Sequence, residues 1–167
     1  MPKESIYADV EKATVSILRK GGQGVLVNDG LIITAAHCID YSLDGGMVLG
    51  DPFFERIKAR GRELVVCTLA VEPVKDIAVL GPPVHDKFKD EQIDFERFCE
   101  DTNPVTLCQR YFAPSENFPV HVYTHKGTWV TGTATNLQEY APSLVVEADE
   151  QIEGGTLVGL LSMIRAS

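Results

Sequence analysis

Basic residues are scarce in this chain of 167 residues. Fifteen Lys and Arg stand against 24 Asp and Glu, which leaves a net charge of −9. A surface that acidic repels phosphate backbones and anionic headgroups, so neither nucleic acid nor a membrane surface is expected as a partner. No apolar run approaches the roughly 20 residues that a membrane helix needs. The opening MPKESIYADVEKATVSIL is broken by Glu4, Asp9 and Glu11, so no secretory signal is read and an intracellular chain with reduced thiols is expected. The four cysteines, Cys38, Cys67, Cys99 and Cys108, include no Cys-x-x-Cys pair. Buried free thiols are expected rather than disulfides, and neither a metal nor a cofactor is expected. Repeats of fixed period and low-complexity tracts are also missing.

What is present is a globular composition, with 44% hydrophobic and 23% charged residues. That excludes a disordered chain. The 14 Gly and 9 Pro are spread along the sequence, as short strands joined by tight turns require. Residues 13–18, 23–28 (QGVLVN), 31–34 (LIIT), 63–71 (ELVVCTLAV) and 77–80 (IAVL) read as strands. Asp29-Gly30 between two apolar β-rich runs predicts a hairpin. These spacings suit a small antiparallel barrel or sandwich over residues 1–81. Residues 82–104 read as a charged connector, with one helical stretch at 87–98 spaced by Phe88, Ile93, Phe95 and Phe98. Strands resume in residues 105–167, at 119–123 (PVHVY), 128–135 (TWVTGTAT), 143–147 (SLVVE) and 157–162 (LVGLLS), with Lys126-Gly127 as a turn.

One motif carries chemistry. Thr34-Ala35-Ala36-His37-Cys38 follows directly on an apolar strand. A lone histidine is more often structural than catalytic. Here, 39 residues on, Asp76 leads into the apolar Ile77–Leu80 run. A carboxylate entering a buried strand is costly without a partner, and a histidine Nδ1–H is such a partner. Taken alone, Asp76 reads as a turn residue at a strand start.

Together these segments resemble the chymotrypsin-like (trypsin-like) serine endopeptidases. The resemblance rests on QGVLVNDGLIITAAHC (23–38), KDIAVL (75–80), ADEQIEGGT (148–156) and LVGLLS (157–162). It implies an all-β fold, a double antiparallel β-barrel of chymotrypsin type, and hydrolysis of peptide bonds in a peptide or protein substrate. It also implies His37 as general base and then general acid, and Asp76 as the residue that orients it. Gly155 would lie in the oxyanion loop, and the 157–162 strand would run beside a bound peptide.

The family's nucleophile is missing. Gly154-Gly155-Thr156 runs straight into Leu157-Val158-Gly159, where a Ser-Gly-Gly-Pro-like loop, a strand and a turn would stand. Either Glu153 takes the serine's place, or a segment of about a dozen residues is absent between Thr156 and Leu157. The second alignment is preferred, because both flanks match the family. Ser162, Ser143 and Ser115 are not expected to replace the serine. The second barrel is then expected to be incomplete, and the chain as written inactive. Two readings follow: a serine endopeptidase with its nucleophile segment missing, or an inactive homologue that binds peptides.

Lesser expectations concern other positions. Gly22 stands where the resemblance places a cysteine partner for Cys38, so Cys38 is expected as a free thiol. His85, His121 and His125 are expected as surface or strand histidines, and Trp129 as a packing residue of the second barrel. Met47 lies in a loop that would border the cleft. Asp149 and Glu150 are read as exposed loop charges.

Overall fold

The computed structural model describes residues 2–41, 43–44, 47–48, 54–107, 113–137, 143–149 and 161–162. The chain divides into two compact units, Met1–Thr106 and Leu107–Ser167.

The first unit opens with helix α1 (Pro2–Ala13), which the sequence reading did not anticipate. Its Ala, Glu and Lys residues favour a helix, and it stops where the β-branched Thr14-Val15 begins. Val10 and Ala13 bury its inner face. The strands that follow are β1 (Thr14–Ile17), β2 (Gln23–Val27), β3 (Leu31–Thr34), the two-residue β4 (Leu43–Asp44) and β5 (Met47–Val48), then β6 (Phe54–Ala59), β7 (Arg62–Glu72) and β8 (Ile77–Gly81). Six of them close an antiparallel barrel in the order β1-β2-β3-β8-β7-β6. Val27 and Leu31 pair across the expected hairpin, where Asp29 and Gly30 both take left-handed φ values of 65° and 68°.

Inward positions fill the barrel with Val15, Ile17, Leu26, Ile32, Ile57, Val66 and Leu80. Each large side chain so buried stabilises the fold by roughly 1.5–3 kcal/mol. Strand β6 was not legible from the sequence. It reads Phe-Glu-Arg-Ile-Lys-Ala, and its buried positions are Glu55, Ile57 and Ala59. A charged residue therefore occupies an inward position, which interrupts the usual alternation at Glu55 alone.

The connector forms helix α2 (Lys89–Glu100), which packs on β7 through buried Phe95 and Phe98. The helix begins and ends two residues later than expected, because a short turn at Asp86–Phe88 precedes it.

The second unit contains β9 (Asn117–Tyr123), β10 (Trp129–Leu137), β11 (Ser143–Ala148) and β12 (Leu161–Ser162). They form one sheet in the order β11-β10-β9-β12. Its core joins Phe118, Val120, Val122 and Ala134, with Val146 packed against them. Gly127 (φ 75°) makes the expected turn between β9 and β10. Among the described residues this sheet stays open, so the fold is that of a double barrel whose second half is incomplete. Leu161 and Ser162 pair with Val122 and His121 of β9. β12 thus lies on the edge of β9 opposite β10, at one end of the sheet.

Candidate active site

Strand register builds the site. β3 and β8 run antiparallel with Thr34 opposite Ala78. Continuing that register sets Ala36 opposite Asp76, and the Ala36 N–H donates to the Asp76 carbonyl oxygen at 3.2 Å. Beyond Ala35 the chain makes one tight helical turn, Ala36–Cys38, which carries His37. Asp76 sits in the turn before β8 with a left-handed φ of 55°, which turns its side chain back toward His37.

The two residues meet twice. The His37 backbone N–H donates to Asp76 Oδ1 at 2.9 Å, and ring Nδ1 lies 2.6 Å from Asp76 Oδ2. Desolvation pushes the Asp76 carboxyl up. The hydrogen bonds from the His37 amide and ring, the nearby imidazole and the Ala36 amide outweigh it and hold the carboxyl below the ordinary range. The imidazole is 64% exposed and Asp76 is 48% exposed, so the pair is open to solvent. An ionised carboxylate only accepts, so Nδ1 carries a proton, and in the neutral ring the lone pair is on Nε2.

The turn is fixed on its other sides as well. Thr34 Oγ1 donates to the Gln23 carbonyl at 2.8 Å, tying the end of β3 to β2. Cys38 is buried, and Gly22 lies against it. A Cβ built on Gly22 would come 2.4 Å from Cys38 Sγ, so only glycine fits while the thiol keeps its place. Past the turn, Asp40 pairs with Arg19 and Lys20, each at 2.7 Å, and its N–H donates to buried Glu55 at 3.1 Å.

Cys38, Cys67 and Cys99 are free thiols. Burial pushes the thiols of Cys38 and Cys67 up, and burial with the Glu96 and Glu100 charges pushes Cys99 up to about 11, so none is a ready nucleophile. Among the described residues no cluster of three His, Cys, Asp or Glu could hold a metal ion, and no helix is long and apolar enough to cross a membrane.

Other sequence candidates are placed as follows. His85 lies at the start of the connector, where its Nδ1 accepts the Lys87 N–H at 3.2 Å. His121 is on β9, and His125 is in the turn after it. Trp129 packs against Tyr123 with ring centroids 5.2 Å apart. Asp149 is exposed and accepts from Thr131 Oγ1. Ser115 occupies an exposed turn with φ 61°, Ser143 opens β11 and Ser162 lies on β12. Glu150, Glu153, Gly155, Thr156 and the 157–160 part of the last expected strand lie outside the described residues, as does Cys108. Glu55 and Asp40 escaped the sequence reading. An acidic residue set in an alternating strand was the available signal.

No sequence-family profile matches the chain, and no curated protein matches it. Solved structures do. The Rv3671c protease of M. tuberculosis in its inactive form is 15% identical, with a TM-score of 0.51 over 92% of this chain and 74% of that one. Deg5 is 15% identical, with a TM-score of 0.53 over 94% of this chain and 77% of that one. At these identities the likeness is one of fold: the chain has the fold of the trypsin-like serine proteases.

Proposed function

We propose that the chain carries the acid–base half of a trypsin-like serine endopeptidase site, with the nucleophile segment missing from the chain as written. The observation that supports this most is the double contact between Asp76 and His37, at 2.9 Å to the amide and 2.6 Å to the ring. With Nδ1–H held by the carboxylate, Nε2 is the general base. It takes the proton of a serine hydroxyl as that oxygen attacks a peptide carbonyl, and returns it to the leaving amine. Asp76 keeps the tautomer and stabilises the imidazolium formed between those steps. The chain order, His37 before Asp76, agrees with the family order. Gly155 belongs to the oxyanion loop in this reading, and the substrate is a peptide or protein.

Without the serine, His37 has no hydroxyl to activate, and acyl transfer does not proceed in this chain by itself. Sequencing the transcript and the genomic locus across the Thr156 and Leu157 codons tests the reading. An intron boundary or a gap at that junction supports a lost segment. Contiguous codons sink it. The inactive-homologue reading, a peptide-binding module, is favoured by the missing serine itself and is tested by titrating extended peptides against the backbone amide spectrum.

A further inference from the structure

The first barrel holds one acidic side chain where an apolar one would pack without cost. Glu55 is 2% exposed and sits at an inward position of β6. One carboxylate oxygen accepts the Asp40 N–H at 3.1 Å, and the other is buried with no hydrogen-bond partner among the described residues. A buried oxygen left unpaired lowers stability, and a leucine or methionine of similar size would avoid that loss. What those residues cannot do is accept the Asp40 amide.

That amide lies three residues past His37. The segment between them is held from several directions. Ile39 N–H donates to the Ala36 carbonyl at 3.2 Å, Lys20 Nζ donates to the Ile39 carbonyl at 2.9 Å, and Asp40 is clamped by Arg19 and Lys20 from outside. Glu55 is buried, whereas the other charged side chains of this set, Arg19, Lys20 and Asp40, are open to solvent. Its charge also reaches Arg19, whose guanidinium is held above its usual range first by the Asp40 hydrogen bond and then by Glu55.

We infer that Glu55 is a positioning residue for His37, acting through the Asp40 amide. Asp76 holds the turn where it leaves β3, and Glu55 holds it where the turn ends. The ring can then meet Asp76 only in one orientation. This rests on the reading of His37 and Asp76 as an acid–base pair, and the experiment is independent of any peptidase activity.

The test reads the His37 ring tautomer from its 15N shifts, at a pH where the imidazole is neutral, in the parent, Glu55→Ala, Glu55→Gln and Val10→Ala. Val10 is buried on α1, so Val10→Ala reports loss of packing away from the turn. The expected result is loss of the Nδ1–H preference in Glu55→Ala, its recovery in Glu55→Gln, which keeps the acceptor, and no change in Val10→Ala. Glu55→Ala with the same tautomer populations as the parent overturns the proposal, whatever those populations are. So does an equal change in Val10→Ala. A peptidase reading that failed by the codon test would leave these spectra unaffected, so the two failures are distinguishable.

Discussion

Asp76 grips His37 at both backbone and ring, with Oδ1 on the amide at 2.9 Å and Oδ2 on Nδ1 at 2.6 Å. The two contacts fix the imidazole relative to its own main chain. Replacing Asp76 by asparagine keeps an oxygen for the amide but turns an NH2 group toward Nδ1. Nδ1 must then accept, and the proton moves to Nε2. We expect Asp76→Asn to show the Nε2–H tautomer in 15N spectra with the fold retained. An unchanged tautomer contradicts the orienting role.

Acid should weaken this contact in a defined direction. The folded pKa of Asp76 is depressed, so its share of stability is present above the unfolded carboxylate pKa of about 3.9 and is lost as pH falls through the lower folded value. Asp40, depressed by hydrogen bonds from Lys20 and then Arg19, shifts the same way. Denaturation midpoints of the parent and Asp76→Asn should differ most near neutral pH and converge in acid. A gap that stays constant into acid contradicts the linkage.

Much of the fold and half of the site were legible in the sequence. The Asp29-Gly30 hairpin followed from residues that tolerate left-handed φ, and the His37–Asp76 pairing followed from two motifs that the β3–β8 register sets opposite each other. Strand β6 was not legible, because Glu55 points inward while Arg56 and Lys58 point out. The α1 helix was not legible either. Its charges suit a short helix docked on a barrel, with Val10 and Ala13 as the buried positions. The last expected strand is described only at its end, Leu161–Ser162, which pairs with β9. An apolar run of that length fits several places in a barrel, and pattern alone does not choose among them.

The close approach of Gly22 and Cys38 gives a stability prediction. Gly22 has φ 103°, and a Cβ there would lie 2.4 Å from Sγ. Gly22→Ala should cost about 1–3 kcal/mol in urea denaturation, from strain and overlap together. Adding Cys38→Ala should restore the overlap part only. Full recovery in the double variant would show that the backbone strain is absent.

Gly132 makes the corresponding close approach in the second unit. A Cβ at this position would meet the Glu147 carbonyl oxygen at 2.5 Å and the Ala148 Cα at 3.0 Å. Gly132→Ala should therefore loosen the β10–β11 ladder by about 1–3 kcal/mol. Hydrogen exchange should speed up in residues 131–136 and 143–148 while the β1–β3 amides stay protected. Equal loss of protection in both units contradicts a local effect.

The missing nucleophile is tested most directly by labelling with a fluorophosphonate. The parent chain is compared with two restored chains, Glu153→Ser and one with a family-type serine loop, strand and turn inserted between Thr156 and Leu157. We expect no labelling of the parent, and labelling of one restored chain at the introduced serine that His37→Ala abolishes. Labelling of the parent, labelling that survives His37→Ala, or no labelling of either restored chain contradicts the assignment of His37 and Asp76 as the acid–base half of a serine peptidase site.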